Sequence, residues 1–215
     1  MNVIKPSIEI IDMKDYDEMI RKIEKIGRVC YKSEGKITEE SAERFIRNIL
    51  NRGHESVIEH ESVTVRMICD RGITHEIVRH RIASYSQEST RYCNYAGDKF
   101  NNQVTVIDLA SGFEYDLSKE NDRAKYEVWT EAMEHAEKSY FRMLQLGATP
   151  QEARSILPNS LKTEIVVTMN LRSWRNFFHL RCDSHAHPQM REIANIALKE
   201  FKEKLPVFFA DMEIE

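Results

Sequence analysis

The sequence has few of the residues that mark disulfide, zinc-ribbon or Rossmann scaffolds. Its 215 residues include four cysteines, at positions 30, 69, 93 and 182, and no two of them form a CxxC pair. This scatter argues against a disulfide framework and a zinc ribbon, so we expect reduced thiols. Seven glycines are present, but none of them form a GxGxxG turn, which argues against a Rossmann-type dinucleotide site.

Long apolar runs and an excess of positive charge are also absent. No window approaches the ~20 apolar residues of a membrane span, and no apolar stretch follows the basic start at residues 1–6. We therefore expect a soluble, cytoplasmic protein with no membrane partner. The formal net charge is −4. We expect no nucleic-acid partner, because non-specific nucleic-acid binding needs a broad basic face.

The apolar content is sufficient for one core. Hydrophobic residues make up 41% of the chain, so we expect a single domain over residues 1–215. Strand patterns occur at residues 8–12, 62–69, 103–107 and 163–169, and helical patterns at 16–26, 38–50, 73–78, 123–146, 171–180 and 189–205. This mixture predicts an α/β (α+β) fold.

Residues 79–91, RHRIASYSQESTR, concentrate cationic and hydroxyl side chains. The segment holds three arginines, one histidine, three serines and one threonine. Guanidinium groups suit bidentate recognition of phosphate or carboxylate. A solvated loop is the alternative, but only Glu88 lies inside the run to neutralise three arginines. We therefore interpret the segment as an anion-binding element.

This segment resembles the RHRxxSxxxxSxR signature of the flavin-dependent thymidylate synthases at every fixed position. Residues 53–60 (GHESVIEH), 153–158 (ARSILP) and 170–186 (NLRSWRNFFHLRCDSHA) resemble the same family in the same order. The resemblance implies a mostly antiparallel sheet flanked by helices. It also implies reductive methylation of deoxyuridine monophosphate (dUMP) to thymidylate (dTMP).

The same resemblance implies the cofactors and partners. Flavin adenine dinucleotide (FAD) would carry the hydride, 5,10-methylenetetrahydrofolate would donate the carbon, and NADPH or NADH would recharge the flavin. No metal is implied. The active sites would form between subunits of a homotetramer. Each of these ligands is anionic, and the segments above supply arginines to meet them.

The resemblance also assigns residues to the ligands. Flavin contacts would come from His54, Ser56, Arg79, His80, Arg81, Gln87, Asn170, Arg172 and Asn176. Substrate contacts would come from Glu76, Arg79, Gln87, Glu88, Ser89, Thr90, Arg91, Arg154 and Arg181. Arg172 and Asn176 are four positions apart on a predicted helix, hence on one face. For Asn170 an ordinary helix cap remains the alternative.

Arg181 is the predicted catalytic residue. Methylation at uracil C5 needs electron density that rises when the N3–C4 carbonyl edge is held as an enolate-like anion. A guanidinium stabilises such an anion without losing a proton. A structural ion pair with Asp183 or Glu192 is the alternative. The chain departs from some family members at Glu76 and Gln87, where they have glutamine and glutamate. An anionic Glu76 near a phosphate is unfavourable unless Arg79 or Arg81 neutralises it.

Two other functions compete with this interpretation. A metal-dependent hydrolase would use His75, Glu76 and His80, but these histidines are five positions apart, ~140° around a helix, and do not share a metal easily. His185 and His187, by contrast, are two positions apart, which is a spacing seen in metal sites. A regulatory protein that binds nucleotides without catalysis would keep the arginine cluster and need no flavin.

Overall fold

A four-stranded antiparallel sheet lies at the centre of the computed structural model, which describes residues 1–214. Its strands run in the order β2 (Ser7–Asp12), β3 (Ser62–Asp70), β6 (Lys162–Asn170), β4 (Ala83–Gln87). A separate parallel pair joins β1 (Asn2–Ile4) to β5 (Thr105–Ile107). The predicted α+β fold with a mostly antiparallel sheet is confirmed.

Strict alternation in the two central strands builds the sheet. Every second residue of β3 and β6 is buried, Val65 and Met67 on one strand and Ile165 and Val167 on the other. Because side chains alternate between faces with period two, this pattern turns one face of the sheet to the core. The pairing is regular over nine residues, with Val65 opposite Val167.

Nine α-helical segments surround the sheet among the residues described. They are α1 (Tyr16–Tyr31), α2 (Ser41–Asn51), α3 (Arg71–Ile77), α4 (Leu109–Gly112), α5 (Glu120–Gln145), α6 (Pro150–Ala153), α7 (Leu171–Arg181), α8 (Pro188–Lys204) and α9 (Pro206–Phe209). No helix in this range is long and apolar enough to cross a membrane.

The two junctions that lead to the site share one design. Asp70 ends β3 and caps α3 by accepting a hydrogen bond from the Ile73 amide over 2.9 Å. Asn170 ends β6 and caps α7 by accepting one from the Ser173 amide over 2.8 Å. An acceptor side chain at this position satisfies an amide that the helix leaves unpaired. Each helix therefore leaves its strand at a fixed point.

The main core is aromatic where α7 meets α8. Trp174, Phe177 and Phe178 of α7 are fully buried, and the rings of Trp174 and Phe178 pack against Phe201 of α8. The Trp174 indole N–H donates to the Val63 carbonyl over 3.1 Å. Aromatic side chains bury the most area per residue. This packing fixes the face of α7 that turns away from the core.

Helix α5 belongs to a second, smaller core. The sequence predicts an aromatic stripe on this helix, but only Tyr140 of it is fully buried. Trp129 and Met133 are partly buried against a cluster that includes Val106 and Leu161. The aromatic stripe of α5 therefore packs into the smaller of the two cores.

One strand lies where the sequence predicted none. The cationic run has few apolar positions, yet Ala83–Gln87 forms β4 and pairs with β6, with Tyr85 opposite Val167. Ala83, Tyr85 and Gln87 alternate with exposed serines, which is a strand period. The strand ends at Gln87, and the residues from Glu88 to Arg91 follow it outside any strand or helix.

Candidate active site

A cavity of about 580 Å³ opens where β6 passes into α7. Four of the predicted flavin residues line it together: Arg81, Asn170, Arg172 and Asn176. Arg172 and Asn176 share a face of α7, as their spacing predicts. The core packing of Trp174 and Phe177 on the opposite face fixes this orientation.

Asn170 has two roles at this cavity. Its side-chain oxygen caps α7, so the helix cap that the sequence left open as an alternative is present. Its amide nitrogen makes no hydrogen bond within residues 1–214, and the residue lines the cavity. One side chain can thus serve the helix with its acceptor and a ligand with its donors.

The two arginines of α7 at the cavity differ in how they are held. Arg175 contacts Glu55 over 3.1 Å, makes a bidentate ion pair with Asp211 at 2.7 and 2.8 Å, and donates to the Phe208 carbonyl. Hydrogen bonds from Arg175 hold the pKa of Asp211 below its ordinary value. Its guanidinium therefore serves the fold by tying down α9.

Arg172 is held much less. Its side chain is 52% exposed, with one close partner, the Glu59 carboxylate at 2.6 Å, and Glu55 at 3.9 Å. An exposed ion pair of this kind contributes little to stability. Of the two α7 arginines at the cavity, Arg172 is therefore the one available to an anionic ligand, which would compete with the Glu59 carboxylate for it.

Arg181, the predicted catalytic residue, lies at the end of α7 and is held at three nitrogens. Nε donates to Nε2 of His80 over 2.9 Å, Nη1 to the Glu76 carboxylate over 2.5 Å, and Nη2 to the Glu76 carbonyl over 3.3 Å. The ion-pair partner is thus Glu76, whereas the sequence alternative named Asp183 or Glu192. The arginine that neutralises Glu76 is Arg181, so the expectation that Arg79 or Arg81 does so is wrong.

His80 is buried at this contact. It is 6% exposed, and its ring meets Phe177 edge to face with centroids 4.9 Å apart. Burial, with a smaller contribution from the Arg181 charge, lowers the pKa of His80 to about 4. The imidazole is therefore neutral at pH 7, which allows its Nε2 to accept a hydrogen bond from Arg181.

A second cluster follows β4 and collects the predicted phosphate-binding residues. Arg154 donates to the Thr90 hydroxyl at 3.4 Å, and the Arg91 amide donates to the Ser89 hydroxyl at 3.3 Å. The Arg91 guanidinium contacts Gln151 over 3.0 Å. Arg91 and Arg154 are exposed, and no carboxylate within residues 1–214 neutralises either one.

Gln87 and Glu88 face inward. The Gln87 amide donates to Thr74 over 3.1 Å. Glu88 forms an ion pair with Lys162 at 3.0 Å and accepts from the Tyr95 hydroxyl over 2.8 Å. Burial and the Glu88 carboxylate raise the pKa of that hydroxyl. Glu88, the one acid inside the cationic run, thus pairs with Lys162 and does not neutralise the arginines of the run.

Comparisons with known proteins show the family of the chain. A family model described as "Thymidylate synthase complementing protein" matches residues 11–207. The chain belongs to this family. That membership confirms the resemblance drawn from the signature and, with it, the prediction of an enzyme.

Relatives in the thymidylate synthase complementing protein family carry a more specific name. The flavin-dependent thymidylate synthase of Pyrococcus abyssi is 38% identical over 170 residues, which cover 79% of this chain and 66% of the relative. That of Geobacter sulfurreducens is 35% identical over 192 residues, covering 86% of this chain and 78% of the relative. The chain thus spans a little under two thirds of the length of the Pyrococcus protein.

A solved structure supports the fold independently. The UMP/dUMP methylase PolB from Streptomyces cacaoi, bound with 5-Br dUMP, superposes with a TM-score of 0.81 at 22% identity. The match covers 98% of this chain and 96% of that one. At this identity the likeness establishes a shared architecture.

Some residues assigned through the family resemblance lie outside the cavity. Ser56 and Arg79 are exposed, and the Arg79 side chain makes no hydrogen bond or ion pair among residues 1–214. His54 is exposed and its Nδ1 lies 2.8 Å from the Tyr31 hydroxyl. The single chain therefore brings four of the predicted flavin residues together, leaves His54, Ser56 and Arg79 on its surface, and turns His80 and Gln87 inward, away from the cavity wall.

The sequence did not identify the acidic side of the cavity. Glu55 and Glu59 line it and contact the two arginines of α7, and Met212 closes it from the carboxyl-terminal segment. Both glutamates lie in the segment GHESVIEH, which the family resemblance singled out for its histidine and serine. The two glutamates are four positions apart on a segment that the resemblance already placed at the site. That spacing was the feature of the sequence that could have predicted them.

Proposed function

We propose that this chain is a flavin-dependent thymidylate synthase, which converts dUMP to dTMP by reductive methylation. 5,10-Methylenetetrahydrofolate donates the carbon, and NADPH or NADH restores the reduced flavin. The observation that carries the proposal is the Arg181 guanidinium, held at three nitrogens next to a complete family signature. The names of the relatives support it.

Arg181 is suited to hold the uracil ring. A guanidinium has five N–H donors, and three are used by Glu76 and His80, so two remain for a ligand. Placed at the N3–C4 carbonyl edge, they stabilise an enolate-like anion and so raise electron density at C5. Arginine does this at neutral pH without giving up its own proton.

The cluster after β4 is suited to the nucleotide phosphate. Ser89 and Thr90 supply hydroxyls, and Arg91 and Arg154 supply two exposed guanidiniums. Successive amides and hydroxyls in a turn form an anion-binding concavity. Charge-assisted hydrogen bonds from arginine add geometric specificity for phosphate oxygens.

The cavity at α7 fits one end of FAD by its donors. Arg81 and Arg172 suit the pyrophosphate, and the amides of Asn170 and Asn176 supply neutral hydrogen bonds. FAD supplies hydride-transfer chemistry when bound. Ser56 and Arg79, exposed on the surface, suit a flavin that is held between subunits.

A homotetramer with shared sites belongs to the same proposal. Arg181 and the cavity lie near the start of β4, and the phosphate cluster follows its end, four rises of about 3.3 Å or ~13 Å away. This separation supports a site in which the phosphate cluster of one subunit serves the Arg181 of another. A cytoplasmic location is also proposed, and four cysteines that form no disulfide among residues 1–214 support it.

An anaerobic assay with single omissions tests the proposal. The purified chain is mixed with dUMP, FAD, methylenetetrahydrofolate and NADPH, and each component is left out in turn. We expect dTMP only in the complete mixture, and flavin absorbance on the protein after desalting. Flavin binding also rules against the regulatory and hydrolase alternatives. A protein that makes dTMP without flavin, or binds no flavin at all, contradicts the proposal.

A further inference from the structure

His80 stands next to Arg81 in the signature but turns to a different partner. Arg81 lines the cavity at α7, whereas His80 is buried beside Phe177 and is absent from the cavity wall. Its only side-chain hydrogen bond within residues 1–214 is the one it accepts from Arg181. The imidazole is therefore oriented toward the predicted catalytic arginine.

The contact defines the chemical state of the ring. Arg181 carries donors only, so Nε2 of His80 must be unprotonated and its proton must sit on Nδ1. The backbone around the ring is held as well, because the Tyr85 hydroxyl lies 2.9 Å from both the His80 and the Ile77 carbonyls. His80 thus offers a fixed, neutral acceptor.

Glu76 alone would leave the guanidinium less restrained. Its carboxylate and carbonyl hold Nη1 and Nη2, but its side chain is 31% exposed. A third contact at Nε, from a residue that is 6% exposed, fixes the plane of the group. Fixing a donor before reaction removes a reorganisation cost from the chemical step.

We propose that His80 is a positioning residue for Arg181, which fixes the guanidinium so that its two remaining donors meet the uracil carbonyl edge. The inference rests on the proposed function, since it takes Arg181 as the group that holds the uracil. It differs from the family resemblance, which assigns His80 to the flavin.

Two substitutions separate this role from packing and from flavin binding. His80→Phe keeps an aromatic ring against Phe177 and removes the acceptor. His80→Gln restores an acceptor oxygen, as many bonds from Cα as the histidine Nε2, on a flexible chain, and it guards against a phenylalanine variant that fails to fold. His75→Gln, at an exposed histidine on α3, which ends three residues before His80, is the matched control.

We expect His80→Phe to lower kcat by about tenfold to a hundredfold. The KM for dUMP and the Kd for FAD should stay within about twofold, because the substitution leaves the binding arginines in place. His80→Gln should recover most of the kcat, and His75→Gln should match the wild type. Undiminished kcat in His80→Phe overturns the inference, as does a loss confined to FAD affinity.

A spectroscopic measurement tests the contact without activity. In protein labelled with ¹⁵N-histidine, His80 should show an unprotonated Nε2 and a protonated Nδ1 at pH 7, and Arg181→Ala should change the Nε2 resonance. A protonated Nε2 in the wild type overturns the inference. A wild type that forms no dTMP contradicts the proposed function, whereas an active wild type matched by His80→Phe contradicts this inference alone.

Discussion

At the scale of single residues, the arginines of the site differ in how many protein partners hold them. Arg175 is satisfied by Glu55, Asp211 and a backbone carbonyl, and Arg172 has one close partner, Glu59. A guanidinium with all its donors used serves the fold, whereas an exposed one with a single carboxylate remains open to exchange. Arg172 and Arg175 are the same residue type on the same helix, so the sequence does not show which of them is available to a ligand.

Glu59→Gln should tighten flavin binding. The substitution removes the carboxylate that competes with a phosphate for Arg172, so we expect the Kd for FAD to fall about threefold to tenfold, measured by fluorescence titration. Arg172→Ala should raise the Kd and cancel the effect of Glu59→Gln. Glu134→Gln, in an exposed ion pair with Lys138, is the control. Weaker FAD binding in Glu59→Gln would show that the carboxylate supports the site.

The buried His80 should make stability depend on pH. Its folded pKa is about 4 against an ordinary value of 6.5, so between these values the unfolded chain binds a proton that the folded chain does not. The free energy of unfolding should therefore fall as pH is lowered from 6.5 to 4, by about 1.4 kcal/mol per unit. Above pH 6.5 the histidine is neutral in both states and has no effect.

Urea unfolding of the wild type and His80→Phe at several pH values measures this slope. The wild type should lose stability relative to the variant by about 3 kcal/mol between pH 6.5 and pH 4. Parallel pH profiles would mean that His80 titrates at its ordinary pKa.

At the scale of elements, the site depends on two strand-to-helix junctions. The alternation of β6 and the apolar face of α7 are strong local patterns, and the sequence placed both to within one or two residues. Strand β4 is different, because serines fill its exposed face and its partner lies far away in the chain. A strand stabilised mainly by pairing with β6 leaves a weak signal in its own residues.

Asn170 allows the cap and the ligand contact to be separated. Asn170→Ser keeps a side-chain acceptor at the start of α7, so its thermal stability should stay near that of the wild type, while FAD affinity falls through loss of the amide donors. Asn170→Ala should lose about 1 kcal/mol of stability as well. Thermal unfolding and FAD titration of both variants check this. Full FAD affinity in Asn170→Ser would mean that Asn170 acts as a helix cap and does not contact FAD.

At the scale of the whole molecule, the long-range contacts were beyond local sequence patterns. Arg181 and Glu76 are 105 residues apart, and no local pattern predicts their ion pair. The sequence motifs predicted which residues belong to the site, whereas the fold determines which of them are in contact. It also places Arg181 near the start of β4 and the phosphate cluster after its end. The resemblance supplied the family and its chemistry, and packing decides which arginines remain available.

Mixing two inactive variants tests the shared site. Arg172→Ala impairs the cavity and Arg154→Ala impairs the phosphate cluster, so each pure variant should have low activity. If these parts come from different subunits, random co-assembly should restore roughly a quarter of the sites. Dissociated variants are mixed, reassembled and assayed for dTMP. Activity that never exceeds that of the pure variants would place both parts of a site on one chain.

The central claim is that this chain methylates dUMP in a flavin-dependent reaction that requires Arg181. The most direct test is single-turnover conversion of labelled dUMP to dTMP by the wild type and Arg181→Ala, both loaded with reduced FAD and given methylenetetrahydrofolate. We predict dTMP from the wild type and none from Arg181→Ala, with the same flavin content in both proteins. Equal dTMP from both, or none from a flavin-loaded wild type, would contradict the account.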